Sequence, residues 1–509
     1  MKRILLAASF LAAVCGVAVL SPAPASAGLF GGKAAPSPTP SASPAPLPTA
    51  TPEPPNIAIP RLESKLKANP NDRQAMTELA GQFLGIGHPE AALPLTQRLL
   101  QLGTKTAQVY FLDASAQQAA NNVPAAISDL ENASNLEPTN LSVLGSLADL
   151  YVKTNRLQDA ERIANRAVTF NKTEPQAFVV LGMVYAAEQK WDDARKQFEQ
   201  AYTLDPKNVS PLMQEAQTWV AQNTIPNALT TIDRAIAADP KNVQVLVFRA
   251  DLYAKQRDFT KAASAFDDAV AASTGDAEKA SVLVRKAMMY ADANQKAQAQ
   301  GVFDAAIKQF PSISSLHTAY GEFFVAQRDA RRAEQQFQMA IAGDKNDVSA
   351  LFDMAQLKQS EGRTSDAASY LKQLSDVAPS AQSFAMLGQA YVSLHDYKRA
   401  KDACAKSFQI NASPDTLGCI AGSDYDLKNY KEAAQIFDVL YTQVRGYMDR
   451  NPQLLYMAGD SYTKTKQKTK AVDSYKRLLK LLKPGTKVYK QIQSQIADLS
   501  KPASKSKHG

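Results

Sequence analysis

Cysteine, histidine and tryptophan are scarce in this chain of 509 residues, which contains three Cys, four His and two Trp. Such scattered Cys and His exclude a fold stapled by many disulfides and argue against a zinc site with several protein ligands. Long hydrophobic runs are also scarce, because only residues 4–20 form one long enough to consider as a membrane segment. A hydrophobic content of 45% with 21% charged residues excludes wholesale disorder and a polytopic membrane protein.

Motifs of familiar catalytic chemistry are missing as well. The sequence contains no G-x-x-x-x-G-K-[ST] phosphate loop, no G-x-S-x-G nucleophile elbow, no H-E-x-x-H and no C-x-x-C. We therefore predict a protein that is not an enzyme and that carries neither a cofactor nor a metal ion.

The N-terminus has the order of a secretory signal peptide. Lys2 and Arg3 precede the apolar run of residues 4–20, and small residues follow up to Ala-Ser-Ala at 25–27. We predict a signal peptide over residues 1–27 and export to the periplasm or the cell exterior. The alternative is an uncleaved membrane anchor, for which a run of this length is near the lower limit.

Residues 28–60 are rich in Pro, Ser, Thr and Ala and contain only two charged residues, Lys33 and Glu53. Such a composition cannot bury a core and favours extended conformations. We predict a disordered linker over this segment.

After residue 60 the apolar residues follow helical spacing, and two columns of small residues recur in phase. The first column contains twelve alanines: Ala92, Ala126, Ala160, Ala194, Ala228, Ala262, Ala299, Ala333, Ala367, Ala400, Ala433 and Ala471. The second lies twelve residues earlier in each unit and contains only Gly or Ala. Most intervals between successive alanines of the first column are 34 residues. Small residues at this spacing indicate two antiparallel helices whose backbones approach closely.

One unit shows the full pattern, with Leu181, Gly182 and Tyr185 followed by Ala194 and Phe198. This resembles the tetratricopeptide repeat (TPR) family, whose units of 34 residues carry L-G-x2-Y and A-x3-F. A late proline recurs and is expected to end the second helix of a unit. These prolines are Pro138, Pro206, Pro240, Pro311 and Pro379. The resemblance implies an all-α solenoid, a superhelix of about twelve helix-turn-helix repeats.

The array is predicted to cover residues 61–485, beginning with a half-repeat helix. A capping helix follows at 486–500 and a basic disordered tail at 501–509. Two intervals between successive alanines of the first column are longer than 34 residues, which indicates insertions near residues 272–281 and 441–452. Each insertion is a candidate break in the superhelix.

The resemblance implies a concave face, lined by the first helices, that binds peptides or partner proteins. Carried over unit by unit, this protein-binding face contains Val179, Met183, Met213, Val220, Val247, Val284 and Met288. The alternative is that these residues only complete the helix packing. The chaperone-binding members hold a terminal carboxylate with a Lys, Asn and Arg clamp, but here the matching positions offer only isolated cations such as Arg285 and Lys255.

Basic charge is concentrated at the C-terminal end. Residues 461–509 contain 13 Lys and Arg and two acids, which gives this segment a net charge of +11. Because the whole chain has a net charge of +8, the other residues together carry −3. We predict contact with an anionic envelope component, whereas a solvated capping surface is the alternative. The candidate residues are Lys464, Lys466, Lys468, Lys470, Lys476, Arg477 and Lys480. No nucleic-acid partner is expected for an exported chain.

Cys404 and Cys419 are the cysteines outside the leader. A disulfide between them is conceivable in an oxidising compartment, but we expect two separate buried thiols. His317 occupies a core column and is expected to be a hydrogen-bonded core histidine. The sequence therefore predicts a non-catalytic scaffold for protein–protein interactions in the bacterial envelope or outside the cell. The alternative is a module that binds peptidoglycan or an anionic polysaccharide.

Overall fold

The computed structural model describes residues 53–444 and 446–501. Within these ranges the chain forms 26 α-helices and one short 3-10 helix, without a β-strand, so the all-α prediction is confirmed. The predicted signal peptide, most of the predicted linker and the tail after Lys501 lie outside the described residues. No helix in the described ranges is both long and apolar enough to cross a bilayer.

The helices form two compact units, which divide between Val282 and Leu283. The first unit contains α1 (Pro55–Ala68), α2 (Arg73–Gly85), α3 (Pro89–Gln101), α4 (Ala107–Ala119), α5 (Val123–Leu136), α6 (Leu141–Lys153), α7 (Leu157–Phe170), α8 (Pro175–Ala187), α9 (Trp191–Leu204), α10 (Ser210–Ala221), α11 (Ile225–Ala238), α12 (Val243–Lys255) and α13 (Phe259–Ala272). The division falls within α14 (Asp276–Asp292).

The second unit continues with α15 (Lys296–Gln309), α16 (Ser314–Ala326), α17 (Ala330–Gly343), α18 (Val348–Ser360), α19 (Thr364–Val377), α20 (Ala381–Ser393), α21 (Tyr397–Ile410), α22 (Pro414–Asp426), α23 (Tyr430–Gln443), α24 (Pro452–Lys464), α25 (Lys468–Leu481) and α26 (Lys487–Ser500). Each even-numbered helix from α2 to α24 pairs with the helix after it, which gives twelve helix pairs. The helix α26 follows the last pair at the predicted position of the cap, and its Ile492 is buried.

The alanine column accounts for the close pairing. All twelve alanines lie on second helices and are 0% exposed. On the facing first helices, four units carry Gly where the others carry Ala. At Gly182 a Cβ atom would lie 2.6 Å from Cε1 of Phe198, which is closer than van der Waals contact allows. Small residues therefore set the distance between paired helices, as the sequence predicts.

The late prolines end the second helices as expected. The helices α5, α9, α11, α15 and α19 each end two residues before the proline of their unit. The residue before a proline is driven out of the helical region, so the helix ends there.

The turn inside each pair contains one residue with a left-handed backbone. This residue has a positive φ between 58° and 77° in all twelve units, although it is Gly in only two. The column is Gly87, Asn121, Asn155, Gln189, Asn223, Arg257, Asn294, Arg328, Gly362, His395, Lys428 and Lys466. The residue after it donates its N–H back into the first helix, as Arg156 does to the carbonyl of Tyr151 at 2.7 Å. This bond closes the helix end.

The first helix starts earlier than the sequence predicts, at Pro55 rather than at residue 61. Proline is tolerated in the first turn of a helix, and Pro55 occupies it. Ala58 and Leu62 then pack against Ala75 and Leu79 of α2, so burial extends the helix through residues whose composition resembles a linker.

The two insertions have different outcomes. The first precedes α14, which has 17 residues where the other first helices have 12 or 13, and the division between the units follows within that helix. The second forms the 3-10 helix Met448–Arg450, and Met448 is buried in a core with Phe437 and Leu455. The second insertion is therefore packed into its unit and is not a break.

Candidate binding surface

The first helices of successive pairs contact one another directly within each unit. These contacts join α2 to α4, α6 to α8 and α8 to α10 in the first unit, and α16 to α18, α20 to α22 and α22 to α24 in the second. We call the even-numbered helices α2 to α24 the first-helix layer. Side chains that point away from the second helices form the surface of this layer.

In the first unit, the layer exposes a large apolar side chain at Met183, which is 44% exposed on α8. Val179, Met213 and Val247 are half-buried. Val220 is only 5% exposed and belongs to a core with Ala216 and Ile225, so its assignment to the binding face is wrong. It lies near the end of α10, where the start of α11 covers it.

In the second unit, the predicted residues Val284 and Met288 are half-buried. Both pack against the core that contains Phe303 and Tyr320. Their principal contacts are therefore with the helix packing, in agreement with the alternative for these two residues.

A carboxyl pair on the same layer was missed by sequence reasoning. Glu322 on α16 and Asp353 on α18 lie close enough to affect each other's ionisation, and Oδ2 of Asp353 is buried without a hydrogen-bond partner. Burial, together with the charge and hydrogen bond of Glu322, raises the pKa of Asp353 to about 7.

Two further acids lie on α22 and α24. Burial raises the pKa of Asp426 to about 6, although the charge of His395 opposes the shift. Asp460 accepts a hydrogen bond from the hydroxyl of Tyr425 at 3.1 Å. In the described part of the chain, neither acid, nor Glu322 or Asp353, forms an ion pair. The layer of the second unit therefore carries four acids that form no ion pair with a described residue.

The predicted basic residues divide into two groups. Lys470 pairs with Asp438 at 2.7 Å, and Arg477 pairs with Asp449 at 3.2 Å and Asp473 at 2.8 Å. These two cations are neutralised by neighbouring repeats and are not available as predicted. The others are exposed and have no ion pair to any described residue: Lys464, Lys466, Lys468, Lys476 and Lys480.

The two cysteines form a disulfide, so the expectation of separate thiols is wrong. Cys404 on α21 and Cys419 on α22 are bonded, with their Cα atoms 6.2 Å apart. Gly388 leaves the space beside the Cys404 sulfur. Because consecutive helices place the two residues side by side, the bond joins the tenth and eleventh helix pairs.

His317 is buried, and both of its ring nitrogens have hydrogen-bond partners. Its Nε2 lies 3.1 Å from the carbonyl oxygen of Pro311, and its Nδ1 lies 2.8 Å from the side-chain oxygen of Gln336. Among the residues that the structure describes, no group of three or more His, Cys, Asp or Glu is placed to hold a metal ion. The arrangement offers surfaces for binding.

Sequence models of known families match most of the repeat region. The model described as Tetratricopeptide repeat matches residues 213–277 and 284–348, and two further models with the same description match 381–414 and 453–481. The model described as Tetratricopeptide repeat protein 21 C-terminal ARM domain matches residues 94–212. A comparison with curated protein sequences gives no significant match.

Several solved structures are similar to this chain. Yeast Tom70 is 15% identical, with 76% of this chain and 96% of that chain covered and a TM-score of 0.37. PilF of Pseudomonas aeruginosa is 20% identical, with coverages of 44% and 100% and a TM-score of 0.33. YrrB, described as a TPR protein with an unusual peptide-binding site, is 22% identical, with coverages of 36% and 95% and a TM-score of 0.30.

Proposed function

Because the chain belongs to the tetratricopeptide repeat family, we propose that it is an exported, non-catalytic scaffold in the bacterial envelope whose first-helix layer binds segments of partner proteins. Proteins of this family generally mediate protein–protein interactions and are generally non-catalytic. The proposal concerns where this chain acts and which surface it uses.

The observation that carries the proposal is the exposed Met183 in the first-helix layer. Val179 and Met213 lie half-buried on the same layer of the same unit. Methionine is flexible and polarisable, so it adapts to partners of different shape. An apolar surface on a row of helices suits an extended or helical segment of another protein.

In the second unit, the charge of the layer indicates which segment would fit. Glu322 and Asp353 lie close together and form no ion pair with a described residue, and Asp426 and Asp460 are two further acids of the layer without an ion pair to a described residue. A Lys or Arg side chain would remove the repulsion between such carboxylates. We therefore propose that the segment bound by the second unit carries basic residues.

Two features support export. The N-terminal order of charged, apolar and small residues is that of a secretory signal. The Cys404–Cys419 disulfide is typical of proteins in an oxidising compartment. Neither feature identifies the partner.

The proposal is tested by capture from a cross-linked envelope extract with residues 28–509 as bait. Two variants form a matched pair: Met183→Arg on a first helix and Met339→Arg on the second helix α17. Their side chains are 44% and 46% exposed in the native chain, so both changes should leave the fold intact, which circular dichroism would check. We expect Met183→Arg to lose protein partners that the native bait and Met339→Arg retain.

Equal capture by both variants would contradict binding through the first-helix layer of the first unit. Recovery of peptidoglycan or an anionic polysaccharide without any protein would favour the other function, that of a module for an envelope polymer. The same capture with Glu322→Gln and Asp460→Asn would show whether basic partners depend on the second unit.

A further inference from the structure

The last helix pair and the cap carry exposed lysines that the fold does not neutralise. Eight lysines between residues 464 and 490 are exposed and have no ion pair to a described residue: Lys464, Lys466, Lys468, Lys476, Lys480, Lys483, Lys487 and Lys490. The one acid of this segment, Asp473, is paired with Arg477 at 2.8 Å. We call these eight residues the basic surface.

The basic surface is too extended to bind one small anion. Lys468 and Lys480 lie on the same helix, α25, and are twelve residues apart, so their Cα atoms are separated by about 18 Å at about 1.5 Å per residue. Lys464 ends α24 and Lys466 lies in the turn before α25, whereas Lys487 lies on α26. Charges spread over three elements fit a ligand that is itself an extended array of anions.

The neighbouring side chains favour a lipid surface over a sugar polymer. Leu481 is 45% exposed between Lys480 and Lys483, and a lone apolar side chain among cations can enter the interface of a bilayer. Sugar rings are usually held against exposed aromatic rings, but Tyr462 and Tyr475 are buried with their rings in the core, and Tyr489 on α26 is half-buried.

We propose that the basic surface docks the C-terminal end of the array on an anionic lipid bilayer, with the lysines on headgroup phosphates and Leu481 in the headgroup layer. This contact does not depend on the proposed partner-binding role of the first-helix layer. It would hold the scaffold at a membrane through charge, so the contact would be reversible by salt.

The test is sedimentation of residues 28–509, which retain every described residue, with vesicles of phosphatidylglycerol and of phosphatidylcholine. The main variant combines Lys464→Gln, Lys466→Gln and Lys468→Gln. Its matched control combines Lys65→Gln, Lys67→Gln and Lys105→Gln, three lysines that are equally exposed near the other end of the chain. A further variant, Leu481→Gln, tests the apolar contact, and thermal melts confirm that each variant folds.

We expect binding to phosphatidylglycerol and not to phosphatidylcholine. Each lysine near an anionic surface contributes about a fivefold change in affinity, so the main variant should bind on the order of 100-fold more weakly and the control should bind like the native chain. Salt at about 1 M, where charges are screened beyond about 3 Å, should abolish binding. Equal binding by the main variant and its control would overturn the proposal, as would sedimentation with peptidoglycan but not with vesicles.

Discussion

Gly182 faces the ring of Phe198 so closely that a Cβ atom on the glycine would lie 2.6 Å from Cε1 of the ring. Phe198 is 1% exposed, so its ring is enclosed by the core of this helix pair. The packing of this helix pair therefore depends on the absence of a side chain at residue 182.

The replacement Gly182→Ala should lower the stability of the fourth helix pair. Overpacking a core costs about 1–3 kcal/mol, which exceeds the gain of about 1 kcal/mol in helix propensity. Gly422→Ala is the control, because its Cβ would meet Sδ of Met457 at an ordinary 3.6 Å, so propensity alone should raise stability. The free energy of unfolding in urea distinguishes them, and the same sign for both variants would contradict this account.

The left-handed turn residue predicts a second pair of changes. Lys428 has a φ of 65° and Gly362 has a φ of 73°. A left-handed backbone costs about 1–2 kcal/mol for a residue with a side chain and little for glycine. Lys428→Gly should therefore raise the midpoint of thermal unfolding slightly, whereas Gly362→Ala should lower it. An unchanged or raised midpoint for Gly362→Ala, or a lowered one for Lys428→Gly, would contradict this account of the turn.

Stability should depend on pH through Asp353. Its pKa is about 7 in the folded protein and near 3.8 as a free side chain. Since the folded state binds the proton more tightly, the stabilisation is complete below pH about 4 and is lost as the pH rises through 7. Asp353→Asn should remove this loss, so the variant should be more stable than the native chain at pH 8 by on the order of 1 kcal/mol, allowing for solvent screening.

Denaturant unfolding at pH 5 and pH 8 measures this difference. Glu322 and Asp347 are the carboxyl groups that contribute to the raised pKa of Asp353, so Glu322→Gln should act in the same direction. The same change in stability between pH 5 and pH 8 for the native chain and for Asp353→Asn would contradict the raised pKa of Asp353.

Reduction of the Cys404–Cys419 disulfide should destabilise the second unit. The bond joins residues 15 apart in the sequence, and a loop of this length corresponds to about 3 kcal/mol in the chain-entropy account. The native chain should melt at a lower temperature with a thiol reductant, and the double variant Cys404→Ala, Cys419→Ala should not respond. Hydrogen exchange should show the loss mainly in α21 and α22, because repeats couple chiefly to their neighbours. Uniform loss throughout the second unit would contradict such local coupling.

The helix pairs could be predicted from the sequence because close approach of two backbones demands small residues at a fixed spacing. Ala194 and Phe198 on one helix and Gly182 on the other are sufficient to define such a pair. The left-handed turn could not be predicted in the same way, since Arg257 and Gln189 occupy it as readily as Gly87 does. Its conformation follows from closing the helix end, which is a property of the backbone.

The surface was harder to predict than the packing. Both Val220 and Met183 are predicted for the binding face, yet Met183 is exposed and Val220 is buried, because the start of α11 covers Val220. Lys470 forms an ion pair with Asp438 of the previous repeat and is therefore not free to bind an external anion. A contact with the second helix of the same pair decides the first case, and a contact with the previous repeat decides the second. The spacing of small and apolar residues encodes neither contact.

The most direct test of partner binding by the first-helix layer is site-specific photocross-linking. A photoreactive amino acid would replace Met183 on the first helix α8 in one protein and Met339 on the second helix α17 in another, positions of nearly equal exposure. Irradiation in an envelope extract should give a discrete protein adduct at position 183 and none at position 339. Adducts at position 339 alone, or equal adducts at both positions, would contradict the assignment of the binding surface to the first helices.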